Sequence, residues 1–257
     1  MQITTEMLKE LRDLTGVSVM QCKKALEEAE GNKEKALMIL KKKSSEMAAK
    51  KADRAAADGI IVIKKEGNKV VRVILNCETD FVAKNDDFTS LANAIADKAL
   101  GEGEEAARTA AKDMIDPVIQ KIGENILLGD IKTFTGGNIG MYVHNGKAGV
   151  ITVLEGGDET LARDIAMHIA AMKPEFKSRD EVPAEKVELA KELFAKEVAS
   201  IDKPEEIKNK MLEGKLATYF KEQSLLDQAF VKNPETTVGD LLKKNGATLV
   251  SFDRSVI

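Results

Sequence analysis

Asp80 and Phe81 stand side by side in NCETDFVAKNDD, residues 76–87, where a run of strand-forming residues gives out. A carboxylate beside an aromatic ring is suited to recognition rather than to bond making. Turned outward, the ring enters an apolar pocket on a partner with a polar group beside it, the usual form of an interface hot spot. Turned inward, it folds back over its own sheet, the ordinary fate of a large apolar side chain. Periodicity does not separate the two.

The other reactive side chains form no constellation. Cys22 and Cys77 are the only cysteines, and His144 and His168 the only histidines. That is too little for a metal cluster or a disulfide framework. No nucleophile, base and orienting group can be read together, and Gly136-Gly137 in FTGGNIG lacks the spacing of a phosphate loop. His168, inside DIAMHIAAM, reads as a helix-packing residue. The expectation is a binding protein with no catalytic residue, metal or cofactor.

Composition narrows the partner. Across 257 residues, 39 Lys and Arg stand against 43 Asp and Glu, for a net charge of −4, which argues against a nucleic-acid binder that works by neutralising phosphates. The chain has no tryptophan and two tyrosines, so little base stacking is expected. A hydrophobic content of 43% with 32% charged residues fits a folded, highly soluble protein. The opening MQITTEMLKELRDLTG has acids in its first turns and no long apolar run, so neither a secretory signal nor a membrane anchor is expected and the chain reads as cytoplasmic.

Something must hold Phe81 in place, and the chain around it divides by period. Residues 1–41 form a compact three-helix module: Thr4 or Thr5, Ser18 and Asn32 are the cap candidates, and Met7, Leu8 and Leu11, then Cys22, Ala25 and Leu26, then Ala36, Leu37 and Leu40 make the inner stripes. Residues 42–58 continue as a solvated, locally basic helical linker. From residue 59 the period becomes two: GIIVIKKEGNKVVRVILNC is a hairpin turning near Gly67-Asn68, with Val71, Val73, Leu75 and Cys77 facing the core. A helix follows over FTSLANAIADKAL.

Strand, turn, strand and helix recur over residues 138–172, with Ile151 and Val153 matching Val73 and Leu75. The predicted fold class is therefore α+β, its core in two related halves, 59–137 and 138–257. The first copy carries seven more residues between turn and helix than the second, and Glu78–Lys84 fill that excess. Closing the unit does not require them, and such loops on rigid scaffolds commonly carry function.

The stretches LRDLTGVSVMQCKKAL (11–26) and LNCETDFVAK (75–84) resemble the two signature segments of elongation factor Ts, and KIGENI (121–126) and HIAAMKPEF (168–176) resemble further segments in the same order. The likeness covers nearly the whole chain. It implies an N-terminal module like ubiquitin-associated domains, a two-part core, and a helical hairpin inserted at about 183–222. The sequence supports the hairpin independently, with Asp202 and Pro204 as helix-start residues between two apolar-striped runs.

The resemblance further implies the partner, elongation factor Tu, a P-loop GTPase that the family relieves of GDP. Asp80 and Phe81, flanked by Thr79 and Val82, would intrude near the Mg²⁺ side of its nucleotide site. Arg12, Val19, Met20 and Lys23 would grip the same domain elsewhere; valine at 19 departs from the methionine common in the family. Ile126, His144 and Val231 fall in segments that resemble partner-contacting ones. Many bacterial members continue past the equivalent of Ile257 with a segment that adds a further contact. A homodimer is left open, as is a non-exchanging adaptor in which the three-helix module does the binding.

Overall fold

The computed structural model describes residues 3–257. Its first helices start where capping chemistry places them. Thr4 caps α1 (Thr5–Thr15), its hydroxyl accepting from the Met7 N–H. Ser18 and Gln21 form a reciprocal capping box on α2 (Val19–Glu28), and Asn32 caps α3 (Lys33–Lys51). Leu11, Cys22, Ala25, Leu26, Ala36 and Leu40 close over one another as a small core. These helices are marginal alone, so the shared apolar face is what holds them.

Past residue 41 the chain is helical as expected, but the segment is neither separate from the third helix nor solvated on every side. α3 runs unbroken through Lys51, because KKKSSEMAAKK contains no Gly or Pro and two of its alanines are good helix formers. One face is covered as well: Ser44 and Ala48 are buried, the Ser44 hydroxyl bonds the Gln120 side chain, and Ser45 reaches Asp116 at 2.6 Å. Gln120 and Asp116 lie on α6 (Glu104–Ile122), so the small residues of α3 form a packing stripe.

The hairpin forms as expected from β1 (Asp58–Glu66) and β2 (Lys69–Cys77), antiparallel with Glu66 opposite Lys69 across a two-residue turn. Val71, Val73, Leu75 and Cys77 enter the core with Phe88, Leu91 and Ile95 of α5 (Asp86–Glu102). The simple alternation fails on the other face, where Val70 and Arg72 are also buried. β2 is the central strand, between β1 and β3 (Ile126–Thr135). A cation is admitted there because Arg72 pairs with Asp130 of β3.

The chain forms two compact units. One comprises the described residues up to Phe134 together with Asn145–Lys147 and Val256–Ile257; the other holds Thr135–His144 and Ala148–Ser255. In the second, β4 (Asn138–His144) and β5 (Ala148–Glu155) are antiparallel, and α7 (Glu159–Met172) follows. His144 pairs with Ala148, so the loop has three residues where the first hairpin's has two. That extra residue corrects the repeat alignment. Val150, Thr152 and Leu154, not Ile151 and Val153, take the places of Val71, Val73 and Leu75 against the following helix. Gly140 of β4 lies so near α7 that a Cβ there would sit 2.0 Å from the Ala162 carbonyl carbon.

Beyond α7, α8 (Ala184–Ala199) and α9 (Glu205–Gln223) pack on each other, and no residue of α9 is buried. After the short pair β6 (Ala229–Phe230) and β7 (Asn233–Thr237), α10 (Val238–Lys244) leads into β8 (Thr248–Val256), which joins β5 in the order β4-β5-β8. Helices beside small antiparallel sheets bear out the α+β expectation. Among the described residues no helix is long and apolar enough to cross a membrane.

Candidate functional site

Seven residues, 78–84, join β2 to the Asn85 cap of α5, whereas two, 156–157, join β5 to the Asp158 cap of α7. The longer connection holds one turn of helix, α4 (Asp80–Ala83), capped by the Thr79 hydroxyl, which accepts from the Val82 N–H at 3.4 Å. Successive helical residues point about 100° apart, so a single turn can face two ways. Val82 and Ala83 enter the hydrophobic core of the first unit. Phe81 does the reverse and is 81% exposed, so its ring does not fold back over its own sheet.

The base of this turn is fastened by two carboxylates that cross. Glu124, in the corner between α6 and β3, accepts from the Glu78 and Thr79 N–H groups at 3.2 and 3.1 Å and from the Thr79 hydroxyl at 2.7 Å. In return Glu78 accepts from the Asn125 N–H at 2.7 Å, and this bond holds its carboxyl below the usual carboxylate range. The buried Asn125 amide also donates to the Arg54 carbonyl at 2.7 Å, tying the chain after α3 to the same corner. Neither acid was singled out from sequence, although Glu124 lies in KIGENI and Glu78 in LNCETDFVAK.

Around the ring the chemistry is ionic and unreactive. Asp80 accepts from Lys84 at 2.8 Å, and this bond raises the lysine's pKa. Cys77, whose thiol donates to the Thr79 carbonyl at 3.2 Å, is buried, and the thiol is pushed up to about 11, chiefly by desolvation. It is a thiol at neutral pH and no nucleophile.

The remaining candidates are spread over the chain. Arg12 is exposed at the end of α1; Val19 and Met20 are exposed in the first turn of α2, and Lys23, one turn on, pairs with Glu27 at 3.8 Å. Cys22, Ala25 and Leu26 occupy the opposite, buried face. Ile126 is different: its side chain is 2% exposed and belongs to the core, and the exposed neighbour is Leu127. In the second unit His144 is exposed, its Nδ1 3.0 Å from the Tyr142 hydroxyl. Val231 is 45% exposed, and its N–H donates to the Nδ1 of His168 at 3.1 Å. His168 itself is fully buried, its Nε2 2.8 Å from Gln228, in keeping with a packing role.

The family model described as Elongation factor TS matches residues 78–257, beginning at the residue that opens the Phe81 loop. The protein named Elongation factor Ts from Marinobacter nauticus is 45% identical, covering 98% of this chain and 90% of its own length. That from Alcanivorax borkumensis is also 45% identical, over 98% and 93%, and that from Idiomarina loihiensis 42%, over 99% and 90%. The chain belongs to the elongation factor Ts family. Membership makes it an elongation factor of translation, part of protein biosynthesis. The relatives align over 98–99% of the chain, so the likeness extends into the α1–α3 segment that the family model's match leaves out.

Proposed function

We propose that this protein binds elongation factor Tu carrying GDP and hastens release of the nucleotide, after which GTP rebinds and expels the factor. The observation that carries this reading is Phe81, an almost fully exposed ring on a turn whose next two residues are sunk in the core. In a P-loop GTPase the nucleotide is held by a phosphate-cradling loop, a basic side chain and Mg²⁺. Phe81 fills an apolar pocket near the Mg²⁺ side of that site, with Asp80, Thr79 and Val82 around it, and the pocket opens at the expense of the nucleotide's contacts. No bond to the substrate is made or broken.

Arg12, Val19, Met20 and Lys23 grip the same domain through a three-helix module of the ubiquitin-associated type. His144 and Val231 supply contacts from the second of two related α+β halves, and Ile126 supports Leu127 from the core. The protein acts in the cytoplasm, with α8 and α9 as an inserted helical projection.

Linkage requires that if the factor weakens nucleotide binding by some ratio, nucleotide weakens the factor's binding by the same ratio. The test is direct. Elongation factor Tu loaded with fluorescent GDP is mixed with this protein and excess unlabelled GDP, and release accelerates with the concentration of the protein. A rate equal to the spontaneous one at every concentration refutes the exchange reading and leaves a passive adaptor.

A further inference from the structure

An exposed ring has few neighbours of its own to fix its direction, so the direction of Phe81 is set by the backbone beneath it. At the entry to that backbone one side chain makes three bonds. Glu124 takes up two consecutive N–H groups and the hydroxyl at the entry to α4. The Thr79 hydroxyl, its proton given to Glu124, presents a lone pair to the Val82 N–H and so caps the turn. A carboxylate accepts all three bonds at once, whereas an amide of the same shape has one acceptor oxygen: turned to the two N–H groups, it sets its NH₂ against the Thr79 hydroxyl, which must then accept instead of donate, and the charge is lost.

We propose that Glu124 is the positioning residue for Phe81: it touches neither nucleotide nor partner pocket, but holds the Asp80–Phe81 turn in the orientation that displaces GDP. The inference rests on the exchange reading above and adds a residue to it. Through Asn125 the same corner fastens the end of the α1–α3 module, so grip and wedge keep one spacing within the first unit. A mobile turn would still reach the pocket, but only in the fraction of time that it points correctly, which lowers the maximal rate of release.

The test uses the full-length protein. Glu124→Gln is expected to speed amide hydrogen exchange at residues 78–83 in the free chain while the urea midpoint of the whole protein barely moves. At saturating factor the maximal GDP release rate falls about tenfold, the scale of one charge-assisted hydrogen bond. The half-saturating concentration changes much less. A purely structural role does not produce the decisive readout, which is a double-mutant cycle: Phe81→Ala must lose much less in the Glu124→Gln background than in the parent.

Equal losses in both backgrounds, or an undiminished maximal rate for Glu124→Gln, overturn the role of Glu124 alone. Phe81→Ala that releases GDP as fast as the parent overturns the exchange reading itself. Thr79→Ala removes one of the three bonds together with the cap on α4 and repeats the cycle, which keeps the test open should Glu124→Gln fail to fold.

Discussion

At the scale of single residues, Phe81 gives the sharpest expectation. Burying a phenylalanine in a partner contributes about 1.5–3 kcal/mol, and about 1.4 kcal/mol is tenfold in an equilibrium, so Phe81→Ala should slow GDP release by roughly ten- to a hundredfold. The same change should leave the urea midpoint nearly where it was, because surface substitutions stay within about 0.5 kcal/mol. A large loss of stability would place the ring's role inside the fold instead. His168 gives a second expectation, with a sign. Burial holds its pKa below the ordinary 6.5, and its Nδ1 accepts from Val231, so the native ring is neutral. The unfolded chain therefore binds the proton more readily, and stability falls as pH drops below about 6.5 and is level above it. Urea midpoints at pH 5.5 and 7.5 measure this, and His168→Gln should remove that part of the slope. His168 was legible as a packing residue from the apolar helix around it. The direction of Phe81 was not, since one turn of helix has no period; only the resemblance to a family chose between its two readings.

At the scale of elements, legibility followed the strength of local signals. Caps at Thr4, Ser18 and Asn32 and the turn at Gly67-Asn68 are readable, because each is set by residues within a few positions of one another. α6 was not read. Its EEAARTAAKDMIDPVIQKI is rich in alanine, which marks no face, and contains Pro117, which argues against a helix interior. The second hairpin's register is not legible from sequence, because Asn145-Gly146-Lys147 looks like the first turn but spans one residue more. Gly140 carries no turn signal either, yet it is where strand and helix meet most closely in the second unit. With a Cβ placed 2.0 Å from the Ala162 carbonyl carbon, backbone must move. Gly140→Ala should destabilise by about 1–3 kcal/mol or more, the range for overpacking, and a urea midpoint unchanged from the parent would show that β4 and α7 separate more easily than their contact implies.

At the scale of the whole molecule, the proposed exchange function assigns gripping and prying to different residues, and kinetics can tell them apart. A contact made equally with nucleotide-bound and nucleotide-free partner adds affinity without lowering the barrier to release, whereas one made only as the nucleotide site opens raises the maximal rate. Met20 is exposed on a helix whose other face is fixed in its own small core, so nothing in its surroundings changes when the turn bearing Phe81 works. Met20→Ala is therefore expected to raise the half-saturating concentration by about tenfold, the scale of one buried apolar side chain, with the maximal release rate unchanged. Phe81→Ala should show the opposite split. The same division sets the binding equilibria: the protein should prefer nucleotide-free elongation factor Tu over the GDP form by the factor through which it weakens GDP, and Phe81→Ala should shrink that preference while Met20→Ala leaves it intact. Titrations of both partner forms with the parent and the two variants measure it, and a preference equally reduced by Met20→Ala would mean that the three-helix module also takes part in displacing the nucleotide.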